Sequence, residues 1–350
     1  MPSDTRRIGR PKGMSAAWTV LLFCAGWLVC ISLLHWKLNI ESPGRPTVRM
    51  GYMPVITNLA SPLLDYATKE KGPVRFDALK FSSFAEMAES LRNDHIQVAF
   101  IIAPLSVVLH QQGAGVRIVY IGNRHESTLV YRSDLNVKTF GDLAGKTLAV
   151  PIRFSGHNLC ARRLAEQFSV TGPDLKLVEM NPPDMAAALA TGALDAYFVG
   201  EPFAAQTIKP GTSKVLYYVE NVWPSFICNL CLVTQKFIDR QPELVQNMVQ
   251  GAARSGYWAR KNPKEAAKIA SNYWNQPVEL VEYALDTPTG RIVFDQYTPR
   301  EAEIQYMADL MVHFRLVSSN DIKGLVNDTF AKQTNVENVT DFNSILNPPR

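Results

Sequence analysis

Lysine, arginine, aspartate and glutamate are all missing from Gly13 to Trp36. At about 1.5 Å of rise per residue, a helix in that run crosses a hydrocarbon layer of about 30 Å. Trp18 and Trp36 stand near its two ends, where indole rings favour the membrane interface. Arg6, Arg7, Arg10 and Lys12 precede it, which predicts a cytoplasmic N-terminus. The competing reading is a cleaved signal peptide. However, no small-x-small cleavage site follows, and the run is long for a signal core. Cys24 and Cys30 follow Phe23 and Val29, not the small residue that lipid attachment wants. The expected plan is a basic cytoplasmic tail over 1–14, a transmembrane anchor over 15–36 and a linker over 37–46. The rest would lie in the periplasm, held at the inner membrane by a single pass.

Net charge is missing from that remainder. Residues 1–46 hold six Lys or Arg and two acids, which leaves thirty basic against thirty acidic residues over 47–350. No basic face is implied, so nucleic acid is not an expected partner. Cysteine is scarce too: outside the anchor there are only Cys160, Cys228 and Cys231. The last two form a C-x-x-C within the apolar run F-I-C-N-L-C-L-V. Strand residues three apart face opposite sides, so they are read as buried thiols, not as a bridge or a metal site. There is no G-x-S-x-G, H-E-x-x-H or G-x-G-x-x-G, and no G-x-x-x-x-G-K-[ST] phosphate loop. No catalytic residue, metal ligand or cofactor is assigned.

What is present is an alternation of short apolar runs with helical patterns. Strands are expected at Val48–Met53, Val74–Phe81, Ile96–Ile102, Val116–Gly122, Thr128–Arg132, Thr147–Pro151, Leu175–Met180, Ala196–Val199, Val215–Val219 and Ile227–Thr234. Helices are expected between them, at Leu59–Lys69, Phe84–Arg92, Pro104–Gln112, Asn158–Phe168 and Met185–Thr191. This is the pattern of parallel βαβ sheets. From Gln235 onward the chain reads as helical: Gln235–Lys261, Pro263–Trp274, Pro277–Ala284 and Pro299–Phe314, with Asp321–Phe330 as a further candidate. The tail from Gln333 is polar and is expected to be poorly ordered. Two βα series, before and after about residue 125, suggest two lobes with a cleft, and ligands in such sheets bind at the carboxyl ends of strands.

Four loops open helices at those strand ends: G-Y-M-P-V-I-T-N-L-A, I-I-A-P-L-S, P-I-R-F-S-G-H-N-L and V-G-E-P-F. Their helix termini and polar side chains suit a small anion or zwitterion; ordinary helix capping is the alternative. Ser155, His157 and Asn158 crowd one loop with donors. In N-R-H-E-S-T, Asn123–Thr128, His125 or Ser127 is placed at a hinge between lobes. Trp223 is a candidate pocket wall or plain packing. Glu201 is either a carboxylate capping a helix start or a cleft group that accepts from a ligand amine or from His157.

The segments V-P-I-R-F-S-G-H-N-L and M-N-P-P-D-M-A-A-A-L-A-T-G-A-L-D-A-Y-F-V-G-E-P-F carry a resemblance, as do F-G-D-L-A-G-K-T-L-A-V-P and G-Y-M-P-V-I-T-N-L-A-S-P-L. Over about 47–315 the chain resembles the nitrate/sulfonate/taurine-type substrate-binding proteins of ABC importers. That broad family also holds proteins similar to the fungal thiamine-pyrimidine synthase, whose cysteine-rich motif is absent here. The resemblance implies an α/β, type II periplasmic-binding-protein fold preceded by one transmembrane helix. One lobe would comprise 47–125 and 226–350, the other 126–225. It implies a small-molecule ligand, an ABC permease in the inner membrane as partner, and no enzyme activity. Thr57, Asn58, Pro104, Ser155, His157, Asn158 and Glu201 would face the ligand, with His125 and Trp223 beside them. Nitrate-type members often carry Thr-Asp where this chain has Thr57-Asn58, a departure that removes a negative charge. A ligand-sensing subunit with the same fold, and an enzyme built on it, are the alternatives.

Overall fold

The computed structural model describes residues 16–39, 45–70, 72–170 and 174–346. The expected basic tail, 1–14, and residues 40–44 of the expected linker, 37–46, lie outside these residues. The chain forms two units, 1–45 and 46–350. The first contains one helix, Ala16–Asn39, whose stretch Trp18–Lys37 is long and apolar enough to cross a membrane. It is apolar all round, with Phe23, Trp27 and Leu28 among its exposed side chains.

The second unit contains two five-stranded sheets. The strands are β1 (Thr47–Tyr52), β2 (Arg75–Lys80), β3 (Val98–Ile102), β4 (Val116–Ile121), β5 (Ser127–Arg132), β6 (Thr147–Val150), β7 (Lys176–Glu179), β8 (Ala196–Gly200), β9 (Ser213–Tyr218) and β10 (Asn229–Thr234). The first sheet runs β2-β1-β3-β10-β4 and the second β7-β6-β8-β5-β9. β1 pairs in parallel with β2 and β3, and β6 with β7 and β8, each through a crossover helix. The central strands β3, β8 and β10 are buried along their whole length. Their continuous apolar sequences follow from being covered on both faces.

The sheets are not purely parallel, as the sequence pattern had suggested. β10 runs antiparallel between β3 and β4, and β5 antiparallel between β8 and β9. Each is the strand that the chain lays down on arriving from the other sheet. Having crossed, the chain enters from the opposite end, so its direction is reversed. The segments 122–126 and 219–228 are these two crossings.

Two helical expectations and the one for the tail change. Gln235–Lys261 is two helices, Gln235–Arg240 and Pro242–Lys261, because Pro242 lacks the N–H and clashes with the preceding turn. Asp321–Phe330 is not a helix. It forms turns and a bridge from Val326 to Ile118, with Leu325 buried, and only Thr329–Lys332 is helical. The tail is ordered up to 346: the buried Arg254 guanidinium takes the carbonyls of Asn335, Glu337 and Ser344, and Ile345 is buried.

The crossings are tied by Arg124, whose side chain is 0% exposed. Its guanidinium donates to Ser225 O on the other crossing at 2.9 Å, to Gln296 O at 3.2 Å and to Glu303 at 2.9 Å. Its backbone pairs with Val293 in both directions. Arg124→Ala would leave these acceptors unpaired and is expected to destabilise the protein by about 3–5 kcal/mol in chemical denaturation. A loss under about 1 kcal/mol would show that solvent replaces the guanidinium at no net cost.

Candidate functional site

The carboxyl ends of β1, β3, β6 and β8 meet the two crossings. Thr57 and Asn58 lie in a single 3-10 turn after β1, and both are buried. Pro104 sits in the first turn of the helix Ala103–Gln111, where its missing N–H costs nothing. Ser155 caps the helix Gly156–Gln167 by accepting from the Asn158 amide. The Asn158 side chain donates to Arg153 O at 2.6 Å and accepts from Arg162 at 3.1 Å. Ser155 and Asn158 therefore build the loop by ordinary capping.

The halves are in contact around this point. Ile56 N donates to Glu201 O in the other half at 2.8 Å, while Asn123 Nδ2 to Ile56 O at 2.9 Å and Asn229 Nδ2 to Asn58 Oδ1 at 2.9 Å hold this turn within the first half. A Cβ on Gly122 would lie 1.9 Å from Thr57 O, so only glycine admits this approach. Farther out, Gln206 meets Gln276 at 3.2 Å, and Lys209 meets the carbonyl of Glu279 at 3.1 Å. A cavity of about 580 Å³ lined by Tyr66, Val74, Gln250, Phe342 and Leu346 shares no residue with this joint.

At the joint lies a chain of buried polar side chains. His157 Nε2 is 2.9 Å from Ser127 Oγ, and Ser127 Oγ donates to Glu126 Oε1 at 3.0 Å. Glu126 Oε2 accepts from the Glu201 amide at 2.8 Å. A Cβ on Gly200 would lie 2.7 Å from that same oxygen, so any larger residue there would displace the carboxylate. His157 is flanked edge-on by Phe198 and Phe226 at 5.4 and 5.5 Å. Burial pushes its pKa down to about 3, which keeps the ring neutral. Burial raises the Glu126 carboxyl, while Cys228, Ser127, the Glu201 amide and the Arg291 charge act in the opposite sense. The Cys228 thiol is 3.9 Å from His157 Nε2, and burial holds it well above its ordinary pKa. Such a thiol is inert.

Three buried polar atoms at this joint have no hydrogen-bond partner: Thr57 Oγ1, Asn123 Oδ1 and His157 Nδ1. The Thr57 and His157 side chains lie beside Cys228. The Thr57 hydroxyl faces the Cys228 thiol and acts to lower its pKa, without a full hydrogen bond. A buried polar atom without a partner costs stability and calls for an explanation.

Glu201 stands at the end of β8 but does not meet His157. Its Oε1 accepts from Thr128 Oγ1 at 2.9 Å and its Oε2 from the Ala205 amide at 2.8 Å, so it caps the following turn. That turn precedes a short helix, Ala205–Ile208, which starts later than Pro202. Burial raises Glu201 to about 7, against the pull of Arg291, Ala205 N and Thr128. His125, at φ 69°, donates from Nε2 to Pro224 O at 2.7 Å and so joins the two crossings. Trp223 is buried, donates to Ser225 Oγ at 3.2 Å and packs edge-on against Phe226 and Tyr306.

Sequence reasoning passed over Glu126, Asn229 and Arg291. Arg291 donates to Glu220 at 2.9 Å, to Thr128 Oγ1 at 3.2 Å and to Ser127 O, with its guanidinium 4.2 Å from the Tyr218 ring. Glu126 had a signal: an acid between two buried strands. Arg291 had none, because its partners are 71 to 164 residues away in sequence.

Two α/β halves joined by two crossing segments, with polar groups buried at the joint, define a type II periplasmic-binding-protein fold. The chain belongs to the NMT1-like family, whose profile matches residues 41–273. This bears out the resemblance read from the motifs. The chain is 24% identical over 272 residues to a Bacillus subtilis (strain 168) protein named for binding aliphatic sulfonates, covering 75% of this chain and 80% of that one. Its fold is similar to that of the alkanesulfonate-binding protein SsuA from Xanthomonas axonopodis pv. citri, solved bound to MOPS. The TM-score is 0.69 and the identity 17%, over 82% of this chain and 99% of that one. It is also similar to the desulfurization enzyme DSZB, with TM-score 0.59 and identity 17% over 82% and 98%. The architecture therefore accommodates both binding proteins and an enzyme.

The shifted groups give opposite pH responses. An unfolded histidine takes a proton near 6.5, whereas His157 refuses one until about 3, so its contribution to stability falls as pH drops through that window. An unfolded Glu201 loses its proton near 4.5 but keeps it to about 7 when folded, so its contribution falls as pH rises between those values. Below pH 4.5 only the histidine effect remains of the two. His157→Gln is expected to lose less stability than the parent between pH 4.5 and 3, measured by denaturant midpoints. Parallel curves would refute the assignment.

Proposed function

We propose that the chain is the solute-binding component of an ABC importer, held at the inner membrane by the helix over 15–36 with its binding unit in the periplasm. The ligand is a small oxyanion of the sulfonate class, taken up where the crossings meet the strand ends. The observation that carries this reading is the pair of buried, unpartnered polar atoms, Thr57 Oγ1 and His157 Nδ1, between the two sheets. Both are neutral hydrogen-bonding groups in a water-excluded setting, which suits an anion of delocalised charge. The sulfonate names of the relative and of the structural neighbour support the same class.

The domain plan belongs to this reading: one lobe of 47–125 with 226–350, the other of 126–225, closing by rotation at the crossings. Within it Thr57 and His157 meet the ligand. Asn58, Pro104, Ser155 and Asn158 shape the loops around it, and Glu201, His125 and Trp223 hold the surrounding walls. A permease is the expected protein partner, and the anchor keeps the binding unit near it. An enzyme reading would require a nucleophile. The thiol at this joint is held protonated beside a neutral imidazole, which disfavours that reading.

Calorimetric titration of the detergent-solubilised full chain with methanesulfonate, taurine and nitrate tests the proposal. Saturable binding of a sulfonate is expected, weakened at least tenfold in Thr57→Val. Absence of binding by a folded sample across all three would overturn it. Mass spectrometry of the membrane fraction is expected to find the full-length chain; a chain beginning after residue 36 would overturn the anchor.

A further inference from the structure

The chain Glu126–Ser127–His157 contains one hydroxyl that can point only one way at a time. Ser127 Oγ lies 3.0 Å from Glu126 Oε1 and 2.9 Å from His157 Nε2. When Glu126 is ionised it can only accept. Ser127 then donates to it and accepts the Nε2 proton of His157, which leaves Nδ1 as a bare lone pair. When Glu126 carries a proton it donates to Ser127 Oγ, the hydroxyl donates to Nε2, and the ring proton sits on Nδ1. The free ring nitrogen is thus an acceptor in the first state and a donor in the second. It is buried and has no partner. An oxyanion needs a donor there.

We propose that Glu126 is a positioning residue that sets, through Ser127, the hydrogen-bond sense of His157 Nδ1, so that capture of an oxyanion takes up one proton. This rests on the reading that an oxyanion occupies the joint. The balance is one proton gained at Nδ1, the Nε2 proton passed to Ser127 Oγ, and the Ser127 proton passed to Glu126. The imidazole is neutral before and after, and the carboxylate ends neutral. An amine ligand, which donates, would instead bind the ionised state without proton uptake. The relay thus selects between ligand charges at a given pH.

The groups facing the relay come from several elements. Cys228 comes from the second crossing, Glu201 from the end of β8 and Arg291 from the 287–300 segment, with Thr57 nearby after β1. Cys228 at 3.9 Å is a weaker partner for Nε2 than Ser127 at 2.9 Å. Arg291 reaches the Ser127 carbonyl and acts on Glu126 by charge alone. Glu126 Oε2 is committed to accepting from the Glu201 amide. A glutamine at 126 must therefore turn its oxygen to that amide and its NH2 to Ser127. Glu126→Gln accordingly locks the donor sense at Nδ1.

Titrating the full chain with methanesulfonate over a pH series from 5 to 10, in pairs of buffers of unlike ionisation heat that are neither phosphates nor sulfonates, reads the proton count from the difference in binding heat. About one proton taken up per ligand is expected for the parent at the pH values where Glu126 is ionised in the free protein, with affinity falling tenfold per pH unit there. None is expected for Glu126→Gln, with a flat affinity. Parent binding without proton exchange, or equal uptake in Glu126→Gln, overturns the relay. If methanesulfonate does not bind, the proposed function fails, and nitrogen-15 NMR of His157 then decides the relay independently. As the pH rises from 5 to 10 the parent is expected to pass from the Nδ1–H to the Nε2–H tautomer, while Glu126→Gln stays Nδ1–H throughout. The His157 signal is identified by its loss in His157→Gln. The same tautomer in both proteins at every pH overturns the proposal.

Discussion

The hold of the Arg124 guanidinium on the second crossing is the contact on which the two-sheet arrangement turns. Two short crossings join the halves, and their carbonyls face a solvent-free joint. Arg124 satisfies Ser225 O and Gln296 O from one side chain and places its charge against Glu303. A buried charge is tolerable only with such complete pairing. Its backbone exchange with Val293 brings in the segment 287–300, which delivers Arg291 to Ser127 and Thr128. The antiparallel strands β5 and β10 then start from crossings whose positions are fixed.

The joint combines crowding with chemical neutrality. Gly122 permits a backbone approach that any Cβ would block, Gly200 leaves room for the Glu126 carboxylate, and His157, Glu126 and Cys228 are buried beside them. Shutting out water is what drives the ring toward its neutral form and the acid and thiol toward theirs. Arg291 pulls the other way on both Glu126 and Glu201, and its own charge is engaged by Glu220. Hydrogen-bond direction, more than formal charge, is therefore what the joint offers a ligand.

Local signals were read well where they were strong. Phe84–Arg92 and Pro263–Trp274 fall where the sequence put them, because Ser83 caps the first and Pro263 opens the second. Buried strands such as β3 and β8 announce themselves by unbroken apolar runs. Pro242 was legible as a break but was overridden by the long apolar periodicity around it. The stretch 321–330 carries a helical pattern, yet its Leu325 and Val326 are used against β4, so tertiary pairing won over local preference. Among the site residues, His157 was visible from its loop. Its partner was not: Glu201 stood at the end of a recognisable buried strand, while Ser127 and Glu126 came from the neighbouring antiparallel strand and its crossing.

The sequence by itself determined the elements, the apolar N-terminal helix and the family, because periodicity, caps and motif order are properties of neighbouring residues. It also determined that Cys228 and Cys231 stay unbridged, since three steps along a strand turn them to opposite faces. The tertiary structure decided the strand order, the two reversed strands and the identity of the polar relay. Those depend on which residues meet after the chain has crossed between sheets twice, and contacts spanning 30 to 179 residues leave no local trace.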